Sequence, residues 1–150
     1  MTSVVFDCNV FLQAALRFES PAFTCFEECE RHGIQIHVSA GIVREYHHVL
    51  TRDSLREKFP ILTDAFVEER LTQFLAKTAL IEDPPRVFEY IRDPKDEKYL
   101  NLAIAGGAHF LVSRDRDLLD VMTDATFRTK HASLAICTPE QFLERVKTIR

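Results

Sequence analysis

Short apolar runs alternate with amphipathic stretches along the whole chain. Val4 to Phe6 is β-branched and aromatic, which predicts a first buried strand. Ile34 to Val38, Ala79 to Ile81, His109 to Val112 and Leu134 to Cys137 predict further strands. Between them apolar residues recur at helical spacing. One helix is expected from about Val10 to Phe18. A second follows Ser20-Pro21 and runs to His32, with Gly33 as its stop. Ser39 can cap a helix from Gly41 to about Arg52, and Thr63 or Asp64 opens another through Phe66, Leu71, Phe74 and Leu75. Asp93-Pro94 starts a helix to Ala105 that Gly106-Gly107 ends, and Asp117 to Met122 reads as a short helix. Thr138 caps the last helix, with Pro139 in its first turn. Strands alternating with helices predict a three-layer α/β/α fold around a mostly parallel sheet of four to five strands. Right-handed crossovers follow by default.

The length of 150 residues fits one domain with one continuous core, and we expect residues 1–150 to form a single unit. No apolar run approaches the roughly 20 residues a bilayer-spanning helix needs. The first residues, MTSVVFDCNVF, lack the basic region and small-residue cleavage site of a secretory signal, so a cytoplasmic protein is expected. Net charge is −4, which argues against nucleic-acid binding by bulk charge and requires any such grip to be a local basic patch. Of the four cysteines, Cys25 and Cys29 share helical spacing. A zinc site is conceivable there, but buried thiols are the better reading, and no disulfide is expected.

The acidic residues carry the chemistry. In open parallel sheets, ligands bind beyond the carboxyl ends of the strands. Asp7 directly follows the first strand, and Asp115 follows the fourth through Ser113-Arg114. Ile42, Tyr46, Val49 and Leu50 mark the buried face of their helix, and Glu45 lies at the edge of that stripe. Asp96 heads the inward stripe of Tyr99, Leu100 and Ala103, whereas Glu97 is rotated about 100° away. Each acid also has a plain structural reading. Asp7, Asp93, and Asp115 or Asp117 could cap helices, Asp96 could complement a helix dipole, and Glu45 could pair with His48 or Arg52. The joint placement of Asp7, Glu45, Asp96 and Asp115 is harder to explain as capping. Clustered carboxylates need a balancing cation, and hard oxygen ligands suit Mg²⁺ or Mn²⁺. Such an ion can activate water and neutralise charge on a phosphate.

Three stretches carry a family resemblance: VVFDCNVFL from Val4, VSAGIVREYHHVL from Val38, and RDPKDEKYLNLAIAGGAHFLVSRDRDLL from Arg92, with TPEQFL near Thr138 as a fourth. The sequence resembles the PIN-domain family over nearly its whole length. The likeness is greatest to a prokaryotic subgroup, the VapC-like ribonucleases, labelled as toxins of toxin–antitoxin systems. The stretch from Arg56 to Glu89 matches only in general helical character.

The resemblance implies a PIN-like fold and a metal-dependent endoribonuclease that hydrolyses RNA phosphodiester bonds, leaving a 5′-phosphate and a 3′-hydroxyl. Asp7, Glu45, Asp96 and Asp115 resemble the four catalytic acids. Asp7, Asp96 and Asp115 are the expected direct ligands of one or two Mg²⁺ or Mn²⁺ ions, while Glu45 is expected to bind through water or to orient the nucleophile. Asn9, Ser113 and Asp117 look like supporting residues. Ser113 stands where threonine is commoner. A homodimer and a separate antitoxin are the partners implied. Arg44, His48, Arg52, Arg114 and Arg116, near the acids in sequence, are candidates for RNA phosphate contact, although surface charge is the plainer reading of each.

Two rival chemistries fit less well. A haloacid-dehalogenase-type phosphatase needs a second aspartate two residues after the first, where Asn9 stands. A phosphorylated receiver needs a lysine ending a later strand, where Ser113-Arg114-Asp115 follows instead. A housekeeping nuclease of RNA processing and a silent PIN-fold binding module are the alternatives within the fold.

Overall fold

The computed structural model describes residues 1–86 and 94–149. Its centre is a five-stranded, all-parallel sheet in the order β3-β2-β1-β4-β5. The strands are β1 (Ser3–Phe6), β2 (Gln35–Ser39), β3 (Thr78–Ile81), β4 (Phe110–Val112) and β5 (Ala135–Cys137). All five lie where the apolar runs predict them, within one residue at each end.

Alternation along the strands divides the interior in two. Val5, Leu111 and Ile136 join one apolar cluster, with Ile42, Tyr46 and Leu50 of α3 (Ala40–Leu50) and Tyr99, Leu100 and Ala103 of α6 (Glu97–Ala105). Val4, Phe6, Phe110, Val112 and Cys137 join the other. Its helical residues are Ala22, Cys25 and Cys29 of α2 (Pro21–His32) and Phe142 and Val146 of α9 (Pro139–Val146). Helix α1 (Cys8–Leu16) serves both, with Phe11 on one side and Val10 and Ala14 on the other. A parallel sheet covered on both faces buries its central strands on both sides, so β1 is buried at all four positions and three of them are apolar.

The local signals act as expected. The Ser39 and Thr63 hydroxyls accept the Ile42 and Phe66 N–H groups, and Thr138 forms a reciprocal capping box with Gln141. Gly33 ends α2 at φ 65°, a left-handed conformation that glycine adopts without steric cost. Helix α5 is Asp64–Leu75.

Some elements differ from the pattern reading. Helix α1 begins at Cys8, because Asp7 caps it. Two short helices, α4 (Asp53–Lys58) and α8 (Ala125–Lys130), were not foreseen. Helix α4 buries no residue fully and α8 only Phe127, so neither carries an apolar stripe to read. The turn before α6 is a 3₁₀ helix, Pro94–Asp96, and Asp93 lies outside the described residues. Helix α7 (Arg116–Asp120) continues as a 3₁₀ turn to Thr123. Cys25, Cys29 and Cys137 are buried free thiols, and burial pushes the Cys25 and Cys137 thiols up to about 12.

Among the described residues, no helix is long and apolar enough to cross a membrane. The feature that positions a site is the sheet order. The chain runs from β1 outward to β2 and β3 on one side, then returns to β4 and β5 on the other. The crevice at such a reversal opens at the carboxyl ends of β1 and β4.

Candidate functional site

Phe6 pairs with Val112, so the next residues out of the sheet, Asp7 and Ser113, emerge side by side. The Asp7 N–H continues the ladder to the Val112 carbonyl at 3.1 Å. Asp7 is 3% exposed. Its Oδ1 accepts the Val10 N–H at 3.0 Å, capping α1, and its Oδ2 accepts the hydroxyl of fully buried Ser113. The same Ser113 oxygen accepts the Asp115 N–H at 2.9 Å. Asp115 in turn accepts the Asp117 N–H at 2.8 Å and caps α7. Capping and site-building are therefore not alternatives for Asp7 and Asp115: each carboxylate caps a helix while facing the crevice.

A cleft of about 540 Å³ lies over these strand ends, and Asp7, Asn9, Glu45, Asp96 and Asp115 all line it. The four acids come from four parts of the chain, the end of β1, helix α3, the turn into α6, and the loop after β4, and Asn9 from the first turn of α1. Glu45 sits at the rim of the buried stripe of α3. The Tyr99 hydroxyl donates to its Oε1 at 2.6 Å and the Lys98 ammonium donates to its Oε2, so α6 holds it rather than His48 or Arg52. Glu97 turns away and pairs with Arg86, as its helical phase predicts. Asp117 reaches the site through its backbone N–H, and its side chain does not line the cleft.

Burial raises the Asp7 carboxyl above its ordinary value, with the charge of Asp115 adding to the effect. Hydrogen bonds from Ser113 and from the Val10 and Asn9 backbones oppose it, and none of these groups is a cation. Negative charge at Asp7 is thus incompletely compensated, which is the condition a bound cation relieves. The carboxylate donors are hard oxygens suited to Mg²⁺ or Mn²⁺. Among the described residues, no three acidic, histidine or cysteine side chains converge closely enough to hold an ion as they stand. The acids therefore line one cleft without yet meeting at one point. In donor chemistry, and in sharing one cleft, they suit a divalent ion.

The basic residues sort differently from the sequence expectation. His48 and Arg52 line the cleft. Arg44 pairs loosely with Asp83 at 3.8 Å, and Arg114 binds Glu140 at 2.6 Å and the Gln13 side chain at 3.0 Å. Neither of these lines the cleft, nor does Arg116. Lys58, Lys95 and the Glu45 partners Lys98 and Tyr99 were missed. Lys58 lies on unforeseen α4. Lys95 and Lys98 flank Asp96 in sequence, a signal that was available.

A model of the PIN domain matches residues 3–117, which include every acid of the cleft. The chain belongs to the PIN-domain family. PIN domains are nucleases. Two solved structures share the PIN fold with it. VapBC2 from Rickettsia felis, crystallised bound to a DNA fragment from their promoter, aligns with a TM-score of 0.57 at 12% identity, covering 91% of this chain and 98% of that one. PAE2754 from Pyrobaculum aerophilum aligns with a TM-score of 0.58 at 20% identity, covering 98% of this chain and 90% of that one. At these identities the likeness is one of fold. No curated protein matches the chain significantly.

Proposed function

We propose that this PIN domain is a metal-dependent endoribonuclease. The observation that carries the reading is the convergence of Asp7, Glu45, Asp96 and Asp115, from four parts of the chain, on one cleft at the switch point of the sheet. Asp7, Asp96 and Asp115 would hold Mg²⁺ or Mn²⁺, with Asn9 beside them. When bound, such an ion supplies an acidified water and neutralises charge on the scissile phosphate.

The chain's own residues do the remainder. Ser113 fixes the Asp7 carboxylate and, through the Asp115 N–H, the approach of the acid that follows β4. Tyr99 and Lys98 fix Glu45 at the cleft wall, where it orients a water or the substrate. Arg52, Lys58 and Lys95 supply positive charge along the same cleft for the RNA backbone, with His48 beside them as a polar contact, the local patch that a net charge of −4 requires. Cleavage of a circular RNA in Mn²⁺, abolished by EDTA, tests the endonucleolytic and metal-dependent parts together. A circular substrate left intact while linear RNA is trimmed would replace this reading with an exonuclease.

We further propose that the biological role is that of a toxin held by a separate antitoxin, with the nuclease itself a homodimer. The likeness of fold to VapBC2 supports the antitoxin part of this reading. Induction of the wild-type chain should arrest bacterial growth, and Asp7→Asn should not. Normal growth under strong wild-type expression would favour a housekeeping nuclease.

A further inference from the structure

The geometry points to Lys98 as a built-in counter-ion that keeps Glu45 out of the ligand set of the divalent ion. This inference rests on the metal-dependent reading and divides its four acids into two classes.

Asp7 and Asp115 are joined to each other through Ser113, and the Asp7 carboxylate oxygens accept from neutral donors, the Val10 N–H and the Ser113 hydroxyl. Glu45 is in the opposite situation. Both of its carboxylate oxygens are already engaged, Oε2 by the Lys98 ammonium and Oε1 by the Tyr99 hydroxyl at 2.6 Å. The pair is half-buried, with side-chain exposures of 39% for Lys98 and 24% for Glu45, so it is shielded more than a surface ion pair. Tyr99 is itself 1% exposed and packed in the core, which prevents its hydroxyl from swinging away.

Direct ligation by Glu45 would require it to give up at least one of these partners. Leaving the half-buried ammonium without its carboxylate is costly. The arrangement therefore favours three aspartates as ligands and makes Glu45 a positioning residue braced between α3 and α6. Lys98 sits two residues after Asp96, in the first turn of the helix that Asp96 precedes, so this one segment brings both an anion for the metal and a cation for the glutamate.

Calorimetric titration of Mn²⁺ into the RNA-free, full-length protein separates the outcomes, with thermal denaturation to confirm that each variant folds. Lys98→Met frees Glu45 and removes a repelling charge, and should tighten Mn²⁺ binding roughly 5- to 10-fold, the scale expected for one unit charge near a solvent-accessible ion. Lys98→Arg, which restores the charge, should stay within about twofold of wild type. Lys58→Met controls for the general loss of a cleft charge and should change affinity less than Lys98→Met. Glu45→Gln should weaken binding by less than about fivefold.

Unchanged or weaker binding in Lys98→Met overturns the assignment, as does a loss of tenfold or more in Glu45→Gln, which would make Glu45 a direct ligand. Asp7→Asn distinguishes the two levels of the argument. If wild type binds Mn²⁺ and Asp7→Asn does not, the metal site stands whatever Lys98 does. If wild type binds none, the metal reading fails and this inference fails with it.

Discussion

The Ser113 hydroxyl donates to Asp7 Oδ2 and accepts the Asp115 N–H at 2.9 Å, so one buried oxygen joins the acid that ends β1 to the acid that follows β4. The parallel register dictates this contact: Phe6 lies opposite Val112, and the pair after it is Asp7 and Ser113. Ser113→Ala strands a buried carboxylate oxygen and a backbone N–H at once. It should destabilise the protein by about 1–3 kcal/mol in denaturant unfolding and lower RNA cleavage. Ser113→Thr keeps the hydroxyl and should retain most of both. Equal stability of the alanine and threonine variants would remove the serine from the site.

Asp7 itself should oppose folding of the metal-free protein. Burial, and then the charge of Asp115, raise its carboxyl above the ordinary value of 3.8. A carboxyl raised in the folded state contributes stability that is fully present below that ordinary value, and the contribution is lost as pH rises through the folded-state value. At neutral pH in EDTA, Asp7→Asn should therefore melt at a higher temperature than wild type. The gap should narrow on acidification, and saturating Mn²⁺ should stabilise wild type more than the variant. A wild type that is the more stable of the two in EDTA at neutral pH would contradict this.

The Tyr46 hydroxyl donates to the Phe6 carbonyl at 2.5 Å, one residue before Asp7, and its ring stacks on Phe11 at 4.1 Å. This bond ties α3, which carries Glu45, to the end of β1. Tyr46→Phe keeps the packing and loses the tie. We expect a loss of about 1 kcal/mol or slightly more, since the carbonyl it leaves is buried. Chemical denaturation would read this directly, and an unchanged midpoint would show that the hydroxyl holds nothing in place.

Arg52 and Lys58 line the cleft, whereas Arg114 is engaged by Glu140 and Gln13 away from it. In the cleavage-deficient Asp7→Asn background, Arg52→Ala and Lys58→Ala should each weaken RNA binding about 3- to 10-fold at low salt and reduce the dependence of affinity on salt. Arg114→Ala should change it less than twofold. A larger effect at Arg114 would move the RNA path toward α9.

Much of this architecture was legible in the chain. The five strands were readable because β1 and β4 hold short apolar runs and β2 alternates Ile36 and Val38 with polar residues, and the helix starts because Ser39, Thr63 and Thr138 use local side-chain caps. Helical phase alone separates Asp96 from Glu97. What was not legible depends on contacts distant in sequence. Lys98 reaches Glu45 across 53 residues, and Ser113 reaches Asp7 across 106. Helix α4 leaves no periodic signature because it buries nothing fully, so Lys58 stayed hidden with it. Proximity in sequence was also a poor guide to phosphate contacts: Arg114 is adjacent to Asp115 yet turns toward Glu140.

The central claim is that Asp7 and Asp96 belong to one metal-dependent RNA-cleaving site. Cleavage of a structured RNA in Mg²⁺ or Mn²⁺ by wild type, Asp7→Asn and Asp96→Asn, each first shown to be folded, tests it most directly. The account predicts metal-dependent cleavage by wild type and a loss of at least about 100-fold in either variant. Undiminished cleavage in both variants would contradict it.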